Sequence, residues 1–448
     1  MAHTRIGQER VRRIDPVPEP RTFQTRVSRP RSPVRLKRKR RVTTAPYSAR
    51  WTTLVLAAVV VVDSIFFATL ATMLPYYQVR LGASGAALGM LSGAYAAGTL
   101  VGSLPASWLA ARWGPVRITT VGLALLSSAS LVFTFGDGLV VLVAARFAQG
   151  LGGACSWIGA LSWVIAIVSE DRRGRAIGSV MGFGFAGALL GPVAGTLARE
   201  FGLAWPFGGI AVIGFVLIWA IQRLPSPPRQ SQSVQGIFKH GVRTVLGRGM
   251  FRQGAAVMFV AAFIEGALYL VIPIRLDQLG SGAVVLGAAF LIAGALQAVG
   301  QRAVGGIVDA RGPRRPILVS FLAGSVLLIA VGLANNPPSV VTMSVIVIVA
   351  FGVSYTPAMA LLYRGVGDVG ADPAFGAAII NLTWAGGQAV GAIAVGVVSD
   401  TSSHTVAFFV IAALGLAAAT LIALRVGRMA ARDESSGNQD GSVRRTPG

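Results

Sequence analysis

The sequence predicts an all-α protein that crosses a membrane about twelve times. Three observations carry that expectation. Only 13% of its 448 residues are charged, the mean hydropathy is +0.66, and apolar runs of bilayer-spanning length recur along the chain. A water-soluble domain carries roughly 25% charged residues. So few charges cannot cover an aqueous surface of this size, and the bilayer is the remaining solvent. The 56 glycines and 22 prolines fit membrane helices, where small residues allow close contact.

The predicted spans are 51–75, 86–108, 118–136, 139–166, 177–198, 205–222, 254–273, 284–305, 316–334, 339–362, 375–398 and 405–425. Each is near the ~20 residues a helix needs to span the hydrocarbon. The domain organisation that follows is a basic, disordered cytoplasmic tail over 1–50, a six-helix bundle over 51–222 and a linker over 223–253. A second six-helix bundle over 254–425 and a cytoplasmic tail over 426–448 complete it.

Charge supplies the orientation. With the amino terminus inside, the internal loops hold Arg112 and Arg117, Arg172, Arg173 and Arg175, six basic residues from Arg223 to Arg252, Arg311, Arg314 and Arg315, and Arg364. The external loops hold Arg80, Arg199 and Arg275, one each. The positive-inside bias predicts a multi-pass plasma-membrane protein with both termini cytoplasmic.

The formal net charge of +23 resembles a nucleic-acid signal until it is located. Residues 1–50 hold 15 Lys/Arg against 3 Asp/Glu, centred on Arg35-Leu36-Lys37-Arg38-Lys39-Arg40-Arg41. A Pro-rich, strongly basic stretch without apolar period reads as a tail that touches anionic lipid, not as a nucleic-acid binder. The apolar segment behind it is too long for a signal peptide and has no cleavage signature. Cys155 stands alone, and His3, His240 and His404 lie far apart, so neither a disulfide nor a metal site is predicted. No nucleophile–base set or phosphate loop suggests an enzyme.

The halves are related. A displacement of 198 residues carries Pro75 onto Pro273, Gly82 onto Gly280, Gly89 onto Gly287, Gly102 onto Gly300, and Gly114-Pro115 with Arg117 onto Gly312-Pro313 with Arg315. Aligned Gly, Pro and Arg at loop ends are harder to obtain by chance than aligned Leu or Val. Internal repeats of this kind put a transport site at the midplane between the halves.

Several segments resemble signatures of the major facilitator superfamily. Gly305-Gly306-Ile307-Val308-Asp309-Ala310-Arg311-Gly312-Pro313-Arg314-Arg315 is similar to the family's loop after its second helix, G-x-L-A-D-R-x-G-R-R. The first-half counterpart, Ser107 to Arg117, keeps Arg112 and Gly114 but has Ala111 where the family has Asp. Arg146-Phe147-Ala148-Gln149-Gly150-Leu151-Gly152-Gly153-Ala154 resembles the R-x-x-Q-G-x-G-A-A motif associated with proton coupling. Gly187 through Gly191, Pro192 and Gly195 resemble the G-x-x-x-G-P-x-x-G-G motif of antiporters, with Thr196 in place of the last Gly. Asp63 with Leu74-Pro75 is similar to the spacing in drug and tetracycline exporters. The resemblance covers about 50–425. It implies the major facilitator fold of two pseudo-symmetric six-helix bundles, and a gating role for Asp309, Arg112, Gly114, Gly312, Arg314, Arg315, Gly187, Gly191, Pro192 and Gly195. For the last four, close helix packing is the equal alternative.

Charge deep in a bilayer costs about 2.5–3.5 kcal/mol on insertion scales, so each such residue asks for a reason. Asp63, Arg146 and Glu265 lie deep in predicted spans, whereas Arg302 is near enough to an end to snorkel. A carboxyl group held from water can exchange a proton near neutral pH, which proton-coupled transport requires. A static Asp63–Arg146 ion pair is the structural alternative. Gln149 shares a helix face with Arg146, and Tyr269 is one turn from Glu265. Asn381 and Gln388 lie seven apart on one stripe. These four either line a cavity or tie helices together.

The expected function is a proton-coupled exporter of small organic molecules, monomeric, with no cofactor beyond the proton gradient. An uptake carrier for a metabolite is the alternative on the same fold, and a non-transporting receptor or scaffold is the alternative from another class.

Overall fold

A computed structural model describes residues 46–169, 172–227, 244, 247, 249–367 and 373–442. The described residues are helical, and twelve segments among them are long and apolar enough to cross a membrane. The first half comprises α1 (Pro46–Leu81), α2 (Gly85–Trp113), α3 (Pro115–Phe135), α4 (Leu139–Ile167), α5 (Arg173–Phe201) and α6 (Gly209–Gln222), the last entered through a wide π-type turn, Ala204–Gly208. The second comprises α7 (Gly249–Gln278), α8 (Ala283–Arg311), α9 (Arg314–Leu333), α10 (Pro337–Gly352), α11 (Tyr355–Gly367), α12 (Pro373–Thr401) and α13 (His404–Ser442).

The helices run past several predicted span ends, α1 to Leu81 beyond 75 and α8 to Arg311 beyond 305, and three further departures bear on the fold. Residues 46–50, read as tail, are the first turn of α1, and α13 runs on to Ser442, past the predicted end at 425. Hydropathy marks where a helix is apolar, and a helix continues beyond its apolar part when nothing breaks it. The predicted span 339–362 is two helices, α10 and α11, parted at Val353 and Ser354. Pro357, in the first turn of α11, adjoins the break. It offers no N–H to the carbonyl of Val353 and its ring crowds that carbonyl. The turn tightens, with Ser354 N donating to Phe351 O at 3.1 Å and Ser354 Oγ to the same oxygen at 2.6 Å. Residues 1–45 with their basic run, residues 228–243 of the expected linker and residues 443–448 lie outside the described residues.

The 198-residue repeat appears in the backbone. Gly82 and Gly280 both take positive φ (56° and 77°), as do Gly114 and Gly312 (87° and 79°). These values favour glycine and end helices sharply. Helix starts follow the same register, with Gly85 matching Ala283 and Leu139 matching Pro337.

Close approach sets the packing. α1 lies on α5, and a Cβ added at Gly187, Gly191 or Gly195 would stand 2.5, 2.4 or 2.0 Å from Val61 O, Ala68 Cβ or Thr72 Oγ1. Between the halves α2 meets α12, α5 meets α8, and α1 meets α7. On the α2–α12 seam, Cβ atoms at Gly85, Gly89 and Gly93 would collide with the carbonyls of Gly396, Ala392 and Ala389. Several polar contacts between halves lie at the Gly82 end. Arg199 pairs with Asp277 at 2.8 Å, and the Asp400 carboxylate accepts from the amides of Gly85 and Ala86 at 2.5 and 2.8 Å. Thr196 Oγ1 shares its proton between Pro192 O at 3.0 Å in its own helix and Ala283 O at 3.2 Å on α8, so the residue that departs from the glycine motif stands at the α5–α8 contact.

Gly150 gives a stability test, because a Cβ there would lie 1.9 Å from Tyr95 O while one at Gly182 meets nothing within 4 Å. Overpacking costs about 1–3 kcal/mol. Gly150→Val should lower the unfolding midpoint of the detergent-solubilised protein by several degrees and Gly182→Val should leave it unchanged. Equal midpoints would contradict the α2–α4 contact.

Candidate functional site

Two polar clusters lie on either side of the seam between the halves, near mid-helix. Asp63 and Phe67, four apart on one face of α1, begin the first. Asp63 is 5% exposed and its Oδ1 accepts from the Tyr95 hydroxyl at 2.8 Å. Arg146, 3% exposed, reaches from α4 to the backbone of α1, where Nη1 donates to Phe66 O at 2.7 Å and Nη2 to Phe67 O at 2.6 Å. Nη1 also donates to Gln149 Oε1 at 3.0 Å, and Gln149 Nε2 donates to Ser130 Oγ at 2.9 Å. The guanidinium carbon stands 4.8 Å from the centre of the Tyr95 ring, within cation–π reach. The expected alternative of a direct Asp63–Arg146 ion pair is therefore replaced by a relay, in which the cation binds carbonyls and the face of the tyrosine that serves the acid. Arg146 Nε has no protein partner.

Gly153 makes room for this arrangement. A Cβ there would be 2.5 Å from both Asp63 Oδ1 and Tyr95 Oη. That gives a local reason for one glycine of the helix-4 motif.

The second cluster surrounds Glu265 on α7. Its Oε2 accepts from the Tyr355 hydroxyl at 2.5 Å and from Trp384 Nε1 at 3.2 Å, and Tyr269 lies beside it one turn on. All three donors are neutral. Phe67 joins the clusters, with ring centroids 5.2 Å from Tyr95, 6.3 Å from Tyr269 and 5.3 Å from Trp384. One side chain thus touches the donor of one acid and two neighbours of the other.

The predicted residues separate accordingly. Asp63, Arg146 and Gln149 come together, as do Glu265 and Tyr269. Asn381 instead spans the α2–α12 seam, donating to Ser103 Oγ at 3.0 Å, so it ties helices. Gln388 is buried, with its backbone carbonyl against Gly266 and its Oε1 unpartnered. Asp309, Arg112 and Arg315 are exposed, and the Arg112 guanidinium lies over the Trp108 ring. Gly114 and Gly312 serve as helix-end turns, with Arg314 opening α9. Gly187, Gly191, Pro192 and Gly195 form the face of α5 that meets α1, and Pro192 O accepts from Thr72 at 3.4 Å. Tyr95, Ser130, Tyr355 and Trp384 were not foreseen.

The space beside Glu265 measures about 10 Å³, whereas a recess of about 330 Å³ lies toward the Gly82 end, lined by Pro75, Tyr76, Val79, Arg80, Arg199 and Asp277. A water needs about 10–15 Å³, so the gap lined by Glu265, Tyr269 and Tyr355 is about the size of one water. Groups of His, Cys, Asp or Glu able to hold a metal are absent among the described residues.

A family model described as Major Facilitator Superfamily matches residues 56–377. The chain belongs to that superfamily. Its fold is accordingly the superfamily's pair of six-helix bundles, and family and fold alike are those of transporters. A chloramphenicol resistance protein of Streptomyces lividans is 25% identical over 339 residues, 73% of this chain and 84% of that one. An uncharacterized MFS-type transporter of Schizosaccharomyces pombe, C18.02, is 28% identical over 177 residues, 38% of this chain and 40% of that protein. The chain spans only 23% to 40% of the lengths of four curated relatives that it matches over such shorter stretches. Among solved structures, a bacterial homologue of the human lysosomal transporter Spinster, inward-facing and occupied, superposes with a TM-score of 0.71 at 14% identity, covering 85% of this chain and 97% of that one.

Arg146 gives the test of this geometry. Lysine has no planar fork for two carbonyls, and a hydrogen bond to a charged group contributes about 1.5–3 kcal/mol. Arg146→Lys should lower the unfolding midpoint in detergent, while Arg302→Lys at an exposed position should not. A midpoint unchanged in Arg146→Lys would show that the bonds to α1 contribute nothing.

Proposed function

We propose that this superfamily member is a proton-coupled exporter of small organic molecules, with Asp63 and Glu265 as the two proton-exchanging groups. The observation that supports the reading is the placement of two carboxyls on opposite sides of the seam, each engaged by neutral hydroxyl or indole donors. Neither is fixed in a direct ion pair with a partner whose charge would have to be discarded on protonation. A carboxyl among neutral donors changes charge by one when it takes a proton, and in a low-dielectric setting that change alters every bond around it. Phe67 gives the two sites a shared wall, so an occupant displacing its ring disturbs the donors of both acids.

Alternating access would proceed by rocking of the halves. The Gly82 end is held by Arg199–Asp277, by Asp400 on the amino terminus of α2 and by Thr196–Ala283. With the orientation that the basic loops predict, this is the outer end. One proton moving down a potential of about 100 mV releases about 2.3 kcal/mol, a useful drive for an uphill step. Export is favoured by the antiporter-type helix-5 motif and by the name of the Streptomyces relative. Both clusters and the seam come from one chain, so a monomer suffices, with lipid as its surroundings and anionic headgroups as the partners of its basic tail.

The test uses inverted vesicles with an imposed pH gradient and chloramphenicol as the first probe, followed by a panel of neutral and cationic organic molecules. An accepted substrate should dissipate the gradient. Asp63→Asn and Glu265→Gln should each reduce uphill transport about tenfold or more while leaving membrane abundance unchanged; removing a bond to a charged group has this weight. Wild-type uphill rates in both variants would remove the two carboxyls from the coupling step. A gradient that drives accumulation into right-side-out cells instead would make the protein an uptake carrier.

A further inference from the structure

The broken tenth span meets the Glu265 cluster at its break. Tyr355 is the first residue of α11, directly after the interruption at Val353 and Ser354, and its hydroxyl is the nearest donor to Glu265 Oε2. Gly352 O, at the end of α10, accepts from Gln301 Nε2 at 3.3 Å, so a side chain of α8 holds the upper piece. The two pieces share neighbours but weight them differently, α10 resting chiefly on α9 and α8 and α11 chiefly on α7. Between break and carboxyl lies the gap of about 10 Å³, lined in part by Glu265, Gln297, Phe351, Gly352 and Tyr355.

We infer that Tyr355 is a positioning residue that passes the proton state of Glu265 to α11, which swings about the break as a half-helix. The inference rests on the reading of Glu265 as a proton-exchanging group. A carboxylate oxygen accepts from Tyr355 and Trp384 together, and a charged acceptor makes such bonds roughly twice as strong. A proton on that oxygen turns it into a donor and sets the two incoming donors in competition. The Tyr355 bond sits where the ladder is weakest, because Pro357 leaves the Val353 carbonyl without a helical N–H and only Ser354 carries backbone bonds to both pieces, to Phe351 O and from Ala358 N. The groups facing Glu265 are the phenols of Tyr269 and Tyr355, the Trp384 indole and the Gln297 amide, with no charged side chain among the described residues. Nothing else nearby offers a charge for the protonation step to displace.

Thiol labelling tests this in a Cys155→Ser background, with Arg364→Cys on α11 as reporter and Arg311→Cys at the end of α8 as reference. Both positions are exposed. The 364-to-311 ratio of labelling rates should be about tenfold higher in mildly acid than in mildly alkaline buffer, the weight of one bond to a charged group. Glu265→Gln and Tyr355→Phe should both label fast at 364 in either buffer. Pro357→Ala, which restores the N–H, should label slowly in either. A pH response kept in Tyr355→Phe overturns the proposal, as does a wild-type ratio without one. If Glu265→Gln alone loses the response, the proton site stands and only the half-helix link fails. If Glu265→Gln keeps it, the assignment of Glu265 itself fails. Where Tyr355→Phe does not reach the membrane, a pH response surviving in Pro357→Ala is sufficient to reject the link.

Discussion

Hydrocarbon supplies no hydrogen-bond partners, so a polar group carried into a span must be matched by another group of the same chain. Arg146 is the most demanding case, since a guanidinium cannot discard its charge. Its match comes from two backbone carbonyls of α1, the amide of Gln149 and the face of Tyr95. Those bonds fix α4 against α1 at one rotation, and the rotation decides what else α1 shows to the seam. Asp63 and Phe67 lie on that face because Phe66 and Phe67 present their carbonyls to the arginine. Gln149 extends the constraint to Ser130 on α3, so three helices are set by one cation.

Such bonds form only if backbones come close, and glycine is what permits it. Gly98 and Gly150 bring α2 against α4, Gly153 leaves space for the Asp63–Tyr95 bond, and the glycine face of α5 receives α1. On the α2–α12 seam the same device acts between the halves. There the small residues let the two backbones approach closely. The seam is therefore dense, and discrete polar contacts tie the halves, Asn381 to Ser103 within it and Arg199–Asp277 and Asp400 at the Gly82 end.

The sequence was legible where one helix suffices to make the inference. Apolar length placed twelve spans, the displaced Gly and Pro residues revealed the repeat, and the insertion cost of charge singled out Asp63, Arg146 and Glu265. Partners across helices were not legible. Tyr95 is 32 residues from Asp63, Tyr355 is 90 from Glu265 and Trp384 is 119 from it. Helical period assigns a residue to a face but not to the helix that the face meets. The break in the tenth span left a sign, Pro357, that apolar averaging over the predicted 339–362 concealed. Asn381 was placed on the right stripe, but its task at the seam depended on Ser103 of the other half.

The repeat extends to the backbone and not to the chemistry, and this bears on how two acids can share one cycle. In the 198-residue register the mate of Glu265 is Phe67, the mate of Asp63 is Ala261, and the mate of Arg146 is Ser344, a buried hydroxyl without a partner. The acids therefore stand one turn apart in depth, at about 1.5 Å per residue along their helices. Their settings differ as well. Asp63 shares its tyrosine with a guanidinium, whereas Glu265 is held by three neutral neighbours. In the proposed cycle a proton arriving at Asp63 would change the balance of a site that contains a fixed positive charge, and one arriving at Glu265 would remove the charge that organises its site. Two equivalent acids would compete for the same proton at the same stage. On that proposed reading, acids that differ in depth and in counter-charge would take it at different stages, with Phe67 touching the neighbours of both.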